Sequence, residues 1–190
     1  MIEAWFPTLI YSSNLVNIID NNELYKKAIE IKSNLASVRD FNVYNTYGVT
    51  DITTDPHVRH LIGECKKHVN TFANQIGARF SNIILKECWF NVYEKNDFQE
   101  VHSHSTSHLS LVYYVKVPPD TGDLVILSHS FFSDMFPIRY SNDATISADS
   151  LSITPAESDI IIFKSNVLHR VKPNKSSDHR VSVAMNFILQ

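Results

Sequence analysis

Cysteine is scarce in this chain: two residues, Cys65 and Cys88, far apart and without a CxxC spacing. That argues against a disulfide framework and for a reducing compartment in which both thiols act as small apolar side chains. Positive charge is also in short supply. Seventeen Lys and Arg stand against twenty Asp and Glu, a formal net charge of -3, and no Lys/Arg run or aromatic-interleaved basic strip appears. A general binder of nucleic acid backbones needs the opposite balance. No apolar run reaches membrane-spanning length. The opening residues, Met1-Ile-Glu-Ala-Trp-Phe-Pro, carry an acid and no basic stretch, so no secretory signal is expected. Internal repeats and interdomain linkers are missing too. What remains is a soluble, intracellular domain, and 190 residues suffice to bury a core without disulfides or structural metals.

Along the chain, residues 5 to 16 read as a short strand with an early proline, which suits an edge or lead-in position. Asp20 to Asn22 offer caps for a helix whose apolar stripe is Leu24, Ala28, Ile31 and Leu35. Residues 37 to 53 read as irregular. Thr54-Asp55-Pro56 then places a cap before a proline at a helix start. Val58, Leu61, Cys65, Val69, Phe72 and Ile76 form the stripe, and Gly77 stops it. His57, His60 and His68 lie on or near this helix and fit a solvated face.

From Ala78 the period becomes two. Ile83 to Tyr93 is one strand, with Trp89, Asn91 and Tyr93 opposite Cys88, Phe90 and Val92. Further strands are expected over Leu109–Val117, Leu124–Leu127, Ile160–Phe163, Val167–Val171 and Arg180–Leu189. Residues 128 to 150 read as a long polar insertion in which Phe131, Phe132, Phe136 and Tyr140 are candidates for a substrate cover. The expected fold is mainly β, an antiparallel jelly roll with an N-terminal layer of two helices. Residues 1–190 form one domain, with 1–77 as the N-terminal strand and helical layer and 78–190 as the jelly-roll core.

Chemistry concentrates in His102-Ser-His104-Ser-Thr-Ser-His108, three of nine histidines within seven residues. If this segment is extended, His102 and His104 aim both imidazoles at one point, and His108 keeps the same parity. Otherwise it is a solvated Ser-rich loop. On the last strand Arg180, Ser182, Ala184 and Asn186 share one face, with Val181, Val183, Met185 and Phe187 on the other. Were the polar face the inside of a jelly roll, Arg180 would be buried and would need an anion, for which a carboxylate held bidentately is the natural partner. Were it solvent, these would be ordinary surface residues. His169 gains weight only in combination: a His-x-His pair, a distant third His and an arginine eleven residues beyond it.

In that order the chain resembles the 2-oxoglutarate and Fe(II)-dependent oxygenases, most closely a small group from marine bacteria and phages. The pieces that carry the resemblance are Trp89-Phe90-Asn91-Val92-Tyr93, His102-Ser103-His104, Ser110 to Val115, Gly122-Asp123-Leu124, Asp159 to Phe163, His169 and Arg180-Val181-Ser182. The resemblance implies a double-stranded β-helix and cytoplasmic action, in a host cell where the gene is viral. It implies iron held by His102, His104 and His169, and 2-oxoglutarate held by Arg180 and Ser182 with Tyr114 and Tyr93 in the same pocket. O2 and an unidentified substrate complete the reactants, and sheet edges offer a route to a homodimer.

The chain departs from the superfamily at one position. His104 stands where the pattern has Asp or Glu, which leaves the metal centre one unit more positive and the ligand set equally suited to zinc, copper or nickel. His104 could instead stand behind the ligands, with water or His108 in the third place. Two rival readings follow. A cupin-like three-histidine dioxygenase without 2-oxoglutarate explains His104 but gives Arg180 no task, and a non-catalytic jelly-roll binding module makes the histidines incidental.

Overall fold

The structure, a computed structural model, describes residues 7–37, 41–128 and 148–190. In chain order the elements are β1 (Ile10–Asn14), α1 (Asn21–Asn34), β2 (Tyr44–Asn45), α2 (Pro56–Gln75), β3 (Ile83–Tyr93), β4 (Gln99–His102), β5 (Leu109–Lys116), β6 (Leu124–Leu127), β7 (Ser150–Ile153), β8 (Asp159–Lys164), β9 (His169–Val171) and β10 (Arg180–Leu189). The strands make two antiparallel sheets, ordered β1-β8-β5-β10-β3-β2 and β4-β9-β6-β7. This is the expected jelly roll.

Both helices start where capping chemistry starts them. The Asp20 carboxylate accepts from the backbone N–H groups of Asn22 and Glu23, and Asp55 accepts from those of His57 and Val58, with Pro56 in the first turn of α2. Gly77 takes the left-handed conformation, φ +72°, that ends α2. Leu24, Ala28 and Ile31 are buried as the stripe requires, but Leu35 is 42% exposed. The helix stops at Asn34, and the extended backbone of Leu35 takes it out of helical phase.

Alternation along the central strand decides the architecture. On β10, Val181, Val183, Met185 and Phe187 join Phe90 and Val92 of β3 and Leu111 and Tyr113 of β5 against the apolar faces of α1 and α2. The other face of the large sheet meets the small one, where Tyr93, Tyr114, Ile161 and Phe163 pack with Leu124, Ile126 and Val171. Both sides of β10 are therefore buried. Truncating a filled position such as Phe187 to Ala would cost about 3–5 kcal/mol.

Two short strands escaped the sequence reading. Tyr44–Asn45 pairs with β3 inside a region expected to be irregular, too short to carry a period of two. Ser150–Ile153 pairs with β6 at the end of the supposed insertion, and its exposed residues lack an apolar face. Ser128 N–H donates to Asp149 O at 2.8 Å, so the ends of that segment meet. Phe131, Phe132, Phe136 and Tyr140 lie outside the described residues. Within those residues no helix is long and apolar enough to cross a membrane.

Candidate metal centre and cosubstrate pocket

His102 closes β4 and His169 opens β9, and the two are register partners across the small sheet. Their ring centroids lie 4.1 Å apart. His104 completes the cluster, at 5.0 Å from the His102 ring and 5.3 Å from that of His169. One ring nitrogen from each falls within 4.8 Å of the other two, a spacing that fits coordination of a single ion.

Strand parity is not what gathers them. The strand ends at His102, and His104 is carried by the following loop, pinned by its N–H to Ser165 O at 2.7 Å. Ser165 in turn gives its own N–H to His108 O at 3.0 Å. The same turn sends His108 elsewhere. Its Nδ1 accepts from Leu189 N–H at 2.9 Å, and its ring faces a groove shared with Ile76, Arg79 and Lys164. The expected place of His108 in or beside the cluster is therefore corrected.

Tautomers follow from the acceptors. The Nδ1 of His102 lies 2.7 Å from Glu100 O, and that of His169 lies 3.0 Å from Val167 O. A carbonyl only accepts, so each Nδ1 carries the proton and each Nε2 keeps a lone pair for a metal. Burial pushes all three imidazoles down. His169 falls to about 3, with the neighbouring His102 adding to the effect, and His104 to about 4, again by burial and then His102. His102 is lowered by burial as well. All three are neutral at physiological pH, the form that binds metal. Trp89 meets the His104 ring edge-on at 5.6 Å and Phe163 does the same to His169 at 4.8 Å, so apolar rings back the cluster.

Arg180 lines the same pocket as the three histidines. It is 1% exposed. Its Nη1 donates to Gly122 O at 3.1 Å, with Thr121 O further off at 3.5 Å, and the rings of Tyr93 and Tyr114 flank the guanidinium at 4.9 and 5.3 Å. Among the described residues no carboxylate pairs with it, and its Nε has no hydrogen-bond partner. The Tyr114 hydroxyl, also buried, has the Arg180 guanidinium as its polar neighbour. Burial raises both tyrosines against the pull of the Arg180 charge, Tyr93 to about 12. The Tyr93 hydroxyl is committed to Gln99 Oε1 at 3.1 Å. Ser182, 2% exposed, is the register partner of Tyr114 on β5.

A sequence model of the family described as "Putative 2OG-Fe(II) oxygenase" matches residues 87–186, a span that takes in every residue of this pocket so far named. The chain belongs to that family. Its oxygenase fold recurs in solved structures. A Pseudomonas putida prolyl-4-hydroxylase superposes with TM-score 0.66 at 14% identity, covering 96% of this chain and 94% of that one. The epimerase SnoN of nogalamycin biosynthesis, solved with Fe3+, alpha-ketoglutarate and nogalamycin RO, gives 0.67 at 12%, covering 95% and 79%. The viral collagen prolyl hydroxylase of Paramecium bursaria Chlorella virus-1, a 2OG complex, gives 0.59 at 14%, covering 94% of both chains. At these identities the likeness is one of fold. No curated protein sequence matches the chain.

Members of the 2OG-Fe(II) oxygenase family use Fe(II) and 2-oxoglutarate. The residues present in this oxygenase fit both groups. Three neutral imidazoles converge on one point, and a buried guanidinium with an unpartnered Nε stands beside the buried Tyr114 hydroxyl. The structure brings His102, His104, His169, Arg180, Ser182, Tyr114 and Tyr93 into one pocket. It adds Gln99, the acceptor for Tyr93, and the Gly122 carbonyl. Gly122 acts through its backbone, which leaves no side-chain pattern to read, and Gln99 resembles any polar residue of a turn.

Proposed function

We propose that this oxygenase couples oxidative decarboxylation of 2-oxoglutarate to hydroxylation of a substrate C–H bond, with Fe(II) held by His102, His104 and His169. Arg180, Ser182, Tyr114 and Tyr93 form the cosubstrate end of the pocket. One observation carries the reading: Arg180 is buried, has no carboxylate partner, and lines the same pocket as three imidazoles in metal-binding form. A buried guanidinium without a counter-charge is costly, so the pocket favours an anionic occupant. With O2 as the oxidant, iron and 2-oxoglutarate bound there would supply the oxidising chemistry, one oxygen atom passing to the substrate and the other to succinate as CO2 leaves.

The protein's own residues bind and orient. Arg180 Nε offers a donor to the far carboxylate, and the Tyr114 and Ser182 hydroxyls offer two more. Tyr93 packs its ring against the guanidinium while Gln99 Oε1 accepts the hydrogen bond of its hydroxyl. Thr121 and Gly122 hold Nη1 through their carbonyls, which fixes the fork without neutralising it. Trp89 and Phe163 keep water from the back of the histidine cluster. A three-histidine enzyme without 2-oxoglutarate would leave Arg180 Nε buried and unanswered.

The test is anaerobic addition of Fe(II) and then 2-oxoglutarate to the apo-protein. A visible charge-transfer band should appear in the wild type and be lost in Arg180→Ala and His102→Ala, and air should then give succinate. Iron binding with neither band nor succinate would sink the reading.

A further inference from the structure

The three imidazoles are not equivalent on their outer sides. His102 and His169 each spend Nδ1–H on a backbone carbonyl. Neither ring nitrogen of His104 has a hydrogen-bond partner among the described residues. The missing superfamily carboxylate belongs at this same position, so the ligand lacking an anchor is also the one whose charge has been lost.

Glu87 is the carboxylate nearby. It precedes Trp89 by two residues on β3 and so shares its face, and the Trp89 ring meets the His104 ring. Its two oxygens are held in place. Tyr47 O–H donates to Oε1 at 2.9 Å and Asn186 Nδ2 to Oε2 at 2.6 Å. Asn186 Oδ1 accepts from Ser110 Oγ at 2.7 Å, Ser110 Oγ meets Ser165 Oγ at 2.9 Å, and the Ser165 carbonyl holds the His104 N–H. Asn186, Ser110 and Ser165 are all buried. The Glu87 carboxylate and the backbone of His104 are thus tied to one buried framework, the carboxylate through Asn186 and Ser110 and the His104 N–H through Ser165. Carboxylate and imidazole also feel each other's charge. Burial and His102 push His104 down, while Glu87 pulls it up. Burial raises Glu87, but the Asn186 and Tyr47 donors and the charges of Lys86 and His104 bring it below its ordinary value.

We propose that Glu87 is the positioning residue of His104, its carboxylate accepting the outer N–H of that imidazole when the inner nitrogen binds metal. The inference rests on the reading that His104 is a ligand. A carboxylate behind a ligating histidine fixes its tautomer and raises its basicity. Glu87 thereby returns to the centre part of the negative charge that the His-for-Asp/Glu exchange removes, from one bond further out.

The test is titration of the apo-protein with Co(II) against a competing chelator, read from the cobalt visible bands, in the wild type, Glu87→Gln, His104→Ala and the double variant. Glu87→Gln keeps the shape and an oxygen for Tyr47 but removes the charge. It should weaken Co(II) by roughly 10-fold or more and shift the bands, while the donor it sets opposite Asn186 Nδ2 lowers the apo-protein's melting temperature equally with and without His104. In the His104→Ala background it should weaken Co(II) no further. If His104→Ala weakens Co(II) and Glu87→Gln binds as tightly as wild type, Glu87 has no such role and the three-histidine reading stands. An equal loss from Glu87→Gln in both backgrounds overturns the inference, because the effect then bypasses His104. If His104→Ala binds as well as wild type, both the inference and the ligand assignment fall.

Discussion

His102 and His169 face each other across β4 and β9 as register partners, with 4.1 Å between ring centroids. The sheet ladder therefore fixes two of the three imidazoles, and only the third depends on a loop. Arg180 is fixed the same way, at the first position of β10 opposite Tyr93 of β3. The ends of the pocket are set by backbone pairing, and its chemistry follows from which side chains stand at those register positions.

Arg180 is where stability and function pull apart. Its buried, unpaired guanidinium should destabilise the apo-protein, so Arg180→Met is expected to raise apo stability by about 1–4 kcal/mol, as replacement of buried charge by apolar volume often does. The same variant should lose the gain from cosubstrate, which for a wild-type protein at 100 times its Kd is about 2.7 kcal/mol. Thermal melts of metal-loaded protein with and without 2-oxoglutarate measure both.

Gly122 permits the carbonyl that holds Arg180. Its φ is +74°, and a Cβ there would meet Lys172 O and, at 2.6 Å, Pro173 O. Both are backbone atoms that cannot swing aside. Gly122→Ala should cost about 1–3 kcal/mol in conformational strain alone, and more through the clash. It should also raise the Kd for 2-oxoglutarate by displacing the carbonyl that Nη1 bonds. Chemical denaturation and the charge-transfer titration read the two effects.

Acid should act on the apo-protein before it acts on the metal. The histidines lie below their ordinary value of 6.5, His104 at about 4 and His169 at about 3. The unfolded chain therefore binds more protons than the folded one between those limits. Stability is complete above about pH 6.5 and is lost as pH falls through that window. At His104 and His169 metal competes with protons only near the lower values, so the loss of affinity as pH falls should begin at His102, which burial lowers, and become steep below about pH 4. Melting temperature and Co(II) affinity across pH test the separation.

His104→Asp would restore the superfamily pattern but set a second carboxylate near Glu87. The expectation is weak metal binding in His104→Asp alone and a gain when Glu87→Gln is added, the reverse of the effect of Glu87→Gln on the native site. Isothermal titration with Fe(II) or Co(II) in the four proteins decides the sign.

The sequence revealed most where a period or a cap speaks. Alternation on β3 and β10 showed which residues share a face, without saying that this face lines a pocket, and Asp55-Pro56 and Gly77 bounded α2. His104 lies in the cluster for another reason than parity, which suggested a strand: a loop held by Ser165 carries it there. His108 was misread for the same cause, since its parity matters only if the strand continues. Glu87 and Gln99 carried no signal, and Gly122 entered only as part of the resemblance, because each acts through a partner brought near by folding.

On β10, Val181, Val183, Met185 and Phe187 serve the helical core, and Arg180, Ser182 and Ala184 serve the pocket. Slipping that strand by one position would drive Arg180 among the helices and turn Val181 and Val183 toward the histidines. A slipped form could not be both stable and compact. Folding of this sheet therefore proofreads the active site: chains that pass the stability test already have their arginine in place, and an inactive but well-folded population from register error should not accumulate.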